Sequence, residues 1–200
     1  MILESEVPHL PNRNDFHQRL TDLIASCKSE SLEPLVFDVG MRVLEDGAFP
    51  QEYLDAILSV LHDAAFLRLK DSWKLLRVFE YNWDNLTDSQ RSILLPELEK
   101  AYGLFSDWMA CFVISGILGE QYGDDRAFNA LCRLKGASAE MQRSLVPHGF
   151  EHIVTGTSDS ALANRALAEL TAMQRDNSEA VRREVSESLS RLQKRKSHRG

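Results

Sequence analysis

Cysteine is close to absent from these 200 residues: Cys27, Cys111 and Cys132 are an odd number, lie far apart and form no Cys-x-x-Cys pair. That excludes a disulfide framework and a zinc ribbon, and the thiols read as reduced and mostly buried. Proline (6) and glycine (10) are sparse, with no collagen period and no tract of one or two residue types. Fibrous and low-complexity classes fall away with them. Long apolar runs are missing too. The most apolar stretch, Trp108 to Gly119, contains Ser115 and two glycines and falls short of the ~20 residues a membrane crossing needs; it reads as a buried central helix. The N-terminus, Met1-Ile2-Leu3-Glu4-Ser5-Glu6, is acidic where a secretory signal needs a basic region, so a cytoplasmic location is expected.

What is present is an ordinary soluble composition, 44% hydrophobic and 26% charged. A chain of this length buries roughly 70% of its unfolded surface without metal or disulfide. Apolar residues recur at i, i+3, i+4 and i+7, and no Asn-Gly or Asp-Gly pair joins two β-branched runs. The pattern predicts an all-α chain of about ten helices in antiparallel pairs. Phe16, Leu20, Leu23 and Ile24 form one stripe behind an Asn14 or Asp15 cap. Glu33-Pro34 opens a second helix with Leu35, Val39 and Val43 inward, closed by Asp46-Gly47. Pro50 precedes a third, and further helices are expected over about 67–81, after Thr87/Asp88, and over 106–118, 125–134, 139–155, 159–174 and 177–194. Gln90-Arg91-Ser92-Ile93-Leu94-Leu95-Pro96 resembles Gln142-Arg143-Ser144-Leu145-Val146-Pro147 with one gap. A duplicated unit with a helix after each proline is the expectation.

The run Asp176 to Leu192 carries a further pattern: an Asp turn, Val181-Arg182, then Val185, Leu189 and Leu192 at helical spacing, preceded by Ala163, Ala166, Leu167 and Leu170. Over about residues 159–193 this resembles a HEAT repeat. The resemblance implies an α-solenoid, or an irregular helical array where the Val-Arg pair is lacking upstream, occupying 1–193 as one domain with 194–200 as a basic flexible tail. It also implies a binding surface in place of a catalytic cleft.

Chemistry is thinly represented. His148-Gly149-Phe150-Glu151-His152 fits H-x-x-E-H, in which two histidines hold zinc and the glutamate acts as base, with only Glu169 or Asp159 to nominate as third ligand. Pro147 and Gly149 place the motif in a first helical turn, with His148, Glu151 and His152 toward solvent. A solvated surface is therefore the expectation, with no metal, no cofactor and no enzyme activity, and a zinc hydrolase is the remote alternative. No phosphate-cradling glycine loop and no nucleophile elbow occur.

Residues 1–100 carry 18 acidic against 10 basic side chains, and residues 1–190 carry 30 against 18. Such a field attracts cationic partners and repels polyanions. A nucleic-acid-binding HEAT-like protein is the first alternative and not the expectation, since only Arg182, Arg183 and the tail offer positive charge. Aromatics and acids mix at Trp73 to Asp84, and Glu80, Tyr81, Trp83 and Asp84 are the candidate surface for a basic or amphipathic protein. The expected role is a protein-protein interaction module, as an adaptor, a client chaperone or an immunity-type inhibitor.

Overall fold

The structure, a computed structural model, describes residues 13–26, 32–121 and 125–197; Cys27 and the chain end at 198–200 lie outside them. Among the described residues there are eleven α-helices and no strand. These are α1 (Arg13–Ser26), α2 (Glu33–Asp46), α3 (Gln51–Val60), α4 (Ala64–Arg68), α5 (Trp73–Tyr81), α6 (Asp88–Leu104), α7 (Trp108–Gly116), α8 (Asp125–Leu134), α9 (Glu140–Gly156), α10 (Ser160–Ala172) and α11 (Glu179–Ser197).

Local chemistry sets the boundaries. Asp63, Thr87, Asp107 and Asp159 each accept a hydrogen bond from a first-turn N–H, removing orphaned donors. Thr87 and Gln90 complete a reciprocal capping box. Gly47 ends α2 at φ 66°, a left-handed conformation that glycine adopts without a Cβ penalty.

Four boundaries differ from expectation. Asn14 and Asp15 lie inside the first turn of α1, which is already helical at Arg13. The single helix expected over 67–81 is two, because Asp63 caps an earlier start and Asp71 at φ 63° breaks the chain between them; Asp is among the few residues that tolerate this region. Pro96 and Pro147 lie inside α6 and α9, not ahead of a helix, so each removes one intrahelical bond. Finally, α11 runs on to Ser197, so Lys194 and Arg195 are helical.

The helices pack in two layers. α1, α3, α6, α8 and α10 are successive neighbours in one, and α2, α5, α7, α9 and α11 in the other, with α6 on α7, α8 on α9 and α10 on both α9 and α11 across the layers. One apolar core runs between them from Phe16 to Leu192. Side-chain hydrogen bonds between the later helices join residues 30 to 40 apart, such as Ser115 to Leu145 and Arg191 to Glu151. The Gln-Arg pairs noted in the sequence recur in function. Gln90 Nε2 donates to the Phe49 carbonyl (3.0 Å), and Gln142 Nε2 donates to those of Tyr102 (3.0 Å) and Phe105 (3.2 Å). Arg143 Nη1 donates to the carbonyls five and six residues before it, at 2.9 Å each. Arg182 does the same with Asn177 (2.9 Å) and Asp176 (2.7 Å). Asp176 joins the two by accepting from Arg143 Nε at 3.2 Å. No helix among the described residues is long and apolar enough to cross a membrane.

Candidate functional site

The second layer carries a groove of about 360 Å³ where α7, α9 and α11 lie side by side. Asp107 caps α7 through a 2.8 Å bond from the Ala110 N–H, which fixes Trp108 and Phe112 one turn apart on one face. His148 and His152 hold the same spacing on α9. Together they make a run of four rings. Trp108 stacks on Phe112 (centroids 5.1 Å apart, planes at 17°), Phe112 stacks on His148 (4.1 Å, 16°), and His148 meets His152 edge-on (4.3 Å, 87°). Trp108 is 48% exposed, so the apolar run beginning there is not wholly buried as expected. Its first residue is the outer end of the stack, while Cys111, Ile114, Ile117 and Leu118 fill the core.

Glu151 does not face solvent; it is 5% exposed. Arg191 Nε donates to its two oxygens at 3.1 and 3.0 Å, and Nη2 donates at 2.8 Å. Burial pushes this carboxyl upward, but the Arg191 bonds and charge, helped by Ser188, hold it below the usual glutamate range. Burial holds His148 down to about 4, with the nearby charge of His152 adding to the effect, so its imidazole is neutral at pH 7. His152 Nδ1 lies 3.7 Å from Glu120, which belongs to the π turn Ile117–Gln121 after α7. The H-x-x-E-H pattern therefore forms a half-buried packing seam. The carboxylate a zinc hydrolase would use as base is engaged by a guanidinium, and no group of three or more His, Cys, Asp or Glu side chains among the described residues is placed to hold a metal.

Gly149, inside the same pattern, is a packing residue. A Cβ there would lie 2.7 Å from Leu131 Cδ2 and 2.9 Å from the Ser115 carbonyl oxygen. A Cβ on Gly119 would fall on the Gly149 backbone, 2.7 Å from its Cα. Of the described cysteines, burial pushes Cys111 up to about 12 and also raises half-buried Cys132, which favours the protonated thiol in both.

The residues expected to bind a partner separate. Trp83 is 4% exposed; its ring lies under the Arg91 guanidinium (5.2 Å) and its carbonyl accepts from Arg91 Nη2 (3.0 Å). It is a core residue and not a surface anchor, because the 3-10 turn Trp83–Asn85 rotates it inward. Glu80 is half-buried and paired with Arg77 Nε (3.1 Å), whose guanidinium also covers Tyr81 (4.8 Å) and Trp73 (5.9 Å). Tyr81 is 63% exposed and Asp84 faces solvent. The sequence reading missed Trp108, Phe112 and Arg191. The usable signal was an i, i+4 aromatic pair directly after an Asp cap.

No protein-family model matches the chain, and neither a curated protein nor a solved structure is significantly similar to it.

Proposed function

We propose that this chain is a non-catalytic protein-capture module of HEAT-like helical repeats, an adaptor, chaperone or inhibitor that holds a basic or amphipathic partner on the α7–α9–α11 groove. The observation that carries the reading is the ring stack from Trp108 to His152, which lines an open groove and leaves a half-exposed tryptophan at its end. Tryptophan supplies a large rigid contact at low entropic cost and dominates interface hot spots. The alternation of two helix layers and the recurrence of the Arg143 bonding pattern at Arg182, 39 residues on, support the repeat reading. The groove's buried carboxylate, Glu151, is held by Arg191, which fits recognition better than bond chemistry. The acidic excess of residues 1–190 favours approach of a cationic surface.

The test is affinity capture with the tagged full chain from native lysate at low and moderate salt, beside Trp108→Ala. One basic protein in near-stoichiometric amount, released by salt and lost with the variant, is the expected result. Recovery of nothing at either salt, or of the same proteins with Trp108→Ala, removes this reading of the groove.

A further inference from the structure

The chain has three tryptophans, and two are covered by its own cations. Trp73 sits under Lys74 and Arg77, both 5.9 Å from its ring, and Trp83 under Arg91. Arg77 also caps Tyr81, the exposed tyrosine, and Arg165 lies 4.3 Å from the Phe128 ring. Guanidinium over ring is thus this molecule's habitual way of closing an aromatic surface. Trp108 is the exception among the tryptophans. One side of its indole rests on Phe112, no cation of the described chain lies over it, and the residue remains about half exposed.

The charges around it are arranged for a cation from outside. α7, α9 and α11 run parallel: Gln142 at the start of α9 bonds the Phe105 carbonyl just before α7, while Gly149, two turns on, meets Gly119 just past the end of α7. Arg143 pairs with Asp176 near the start of α11, and Glu151 with Arg191 further along. One turn back from the Phe112–His148 contact are Trp108 and Ser144, and one turn back from Ser188 is Glu184. All of these line the same groove. Ser188 bonds Glu151, so Glu184 stands level with Pro147 and His148, one turn along from Trp108 and Ser144 in the same groove. Within the described chain Glu184 meets a 4.0 Å approach from exposed Arg183 and, as the smallest of several contributions, the charge of Arg191. The groove's own cations lie toward the other end. Arg191 is held by Glu151 and Glu187, and Arg195 is eleven residues beyond Glu184, about 16 Å along the helix axis.

We propose that the Trp108 end of the groove receives an arginine side chain of the protein partner, its guanidinium laid on the open indole face and its N–H groups turned to Glu184. The proposal rests on the protein-capture reading above and specifies the chemistry of the captured segment. A planar guanidinium can stack on the indole and donate to a carboxylate at once, where an ammonium does only one of these well.

The experiment titrates the ¹⁵N-labelled full chain with acetylated, amidated tetra-arginine, with tetra-lysine and tetra-glutamate beside it. It reads the Trp108 indole N–H resonance, assigned through Trp108→Phe. The expected result is a saturable shift of that resonance with tetra-arginine, about threefold or more weaker binding of tetra-lysine, and none of tetra-glutamate. Glu184→Gln, an exchange at the groove surface that keeps shape, weakens tetra-arginine binding about fivefold, and Trp108→Ala abolishes it. An unmoved Trp108 resonance, an equal response to tetra-glutamate, or unchanged affinity in Glu184→Gln overturns the proposal. The two readings fail separately. A partner captured equally well by Trp108→Ala leaves a protein-binding chain without this arginine site, whereas the expected peptide response with no captured protein keeps the site and removes the capture role.

Discussion

Between α7 and α11 the helices approach through small residues and hold register through polar ties. Gly119 lies against Gly149, Ser115 donates to the Leu145 carbonyl (2.7 Å), and Arg143, Asp176, Arg182, Glu151 and Arg191 form bonds that repeat from one helix pair to the next. Between α1 and α5 the material is different. Phe16 stacks on Tyr53 (4.2 Å), Phe49 lies against Phe79 (5.6 Å), and the polar links are ion pairs such as Arg19 with Asp38 and Lys74 with Glu33. A five-residue helix, α4, interrupts the alternation there. Where helices stack regularly, small side chains allow close backbone approach and a recurring bond sets the spacing. Where they do not, large rings fill the irregular space.

The largest expected effect breaks the aromatic side of this comparison. Trp83→Ala removes a buried ring and exposes the Arg91 contact, at a cost of roughly 3–5 kcal/mol in urea unfolding followed by circular dichroism. Trp108→Ala, with a half-exposed ring, costs under about 1 kcal/mol in the same measurement. A small loss at Trp83 would mean that the N-terminal helices do not depend on their rings.

The glycine contact is the counterpart in the C-terminal region. Gly119→Ala drives a methyl into backbone that cannot rotate away, so α7 and α9 must separate, at about 2–3 kcal/mol. Calorimetry should show the lowered transition, and an unchanged one would rule out the close approach.

Arg191→Ala tests the polar ties and carries a pH signature. It leaves the buried Glu151 carboxylate without its partner, costing about 2 kcal/mol after allowance for the half-exposed guanidinium. In the parent chain the Glu151 carboxyl lies below its ordinary value near 4.5, so its contribution is present above that pH and lost as pH falls through the folded value. The difference between parent and variant should therefore be full at pH 7 and close as pH falls through the lowered folded value of Glu151. His148 contributes in both chains, slightly less in the variant, because the Arg191 charge is the smallest of the causes that hold it down. Its folded value of about 4 lies below the ordinary 6.5, so stability is full above 6.5 and declines as pH drops from there toward 4. A parent-variant gap that persists undiminished in acid would show that the Arg191–Glu151 pair is not what the substitution removed.

Most of the fold was legible because caps and apolar period act locally. Thr87 and Asp46-Gly47 mark boundaries that the structure keeps, and Asp125–Leu134 is the expected helix residue for residue. The α4–α5 break was hidden because Asp71 in a left-handed conformation leaves no glycine to betray it. The site was legible in its residues and illegible in its roles. The sequence singled out His148, Glu151, His152 and Trp83, but which face each presents is decided by neighbours on other elements. Arg191 turns Glu151 into a buried ion pair, and Arg91 with the 3-10 turn draws Trp83 inward. Trp108 was hidden by the opposite error, since an apolar run reads as core throughout although its first residue is about half exposed.

The smallest expected effect comes from the N-terminal region's own glycine. Gly40 lies in the middle of α2, where a Cβ would meet nothing within 4 Å. Phe37 and Leu44, three residues before and four after it, are 62% and 77% exposed on the face opposite Leu35, Val39 and Val43. Glycine there costs the helix backbone entropy without gaining a close contact, the reverse of Gly119. Gly40→Ala should therefore stabilise the chain by about 0.5–1 kcal/mol in chemical denaturation, mainly by restricting the unfolded state. A loss of stability would mean that the Phe37–Leu44 face is covered in solution by something that needs the missing side chain. Repeating the measurement over a tenfold range of protein concentration separates the cases, since a covering second copy makes the midpoint depend on concentration and a free face does not.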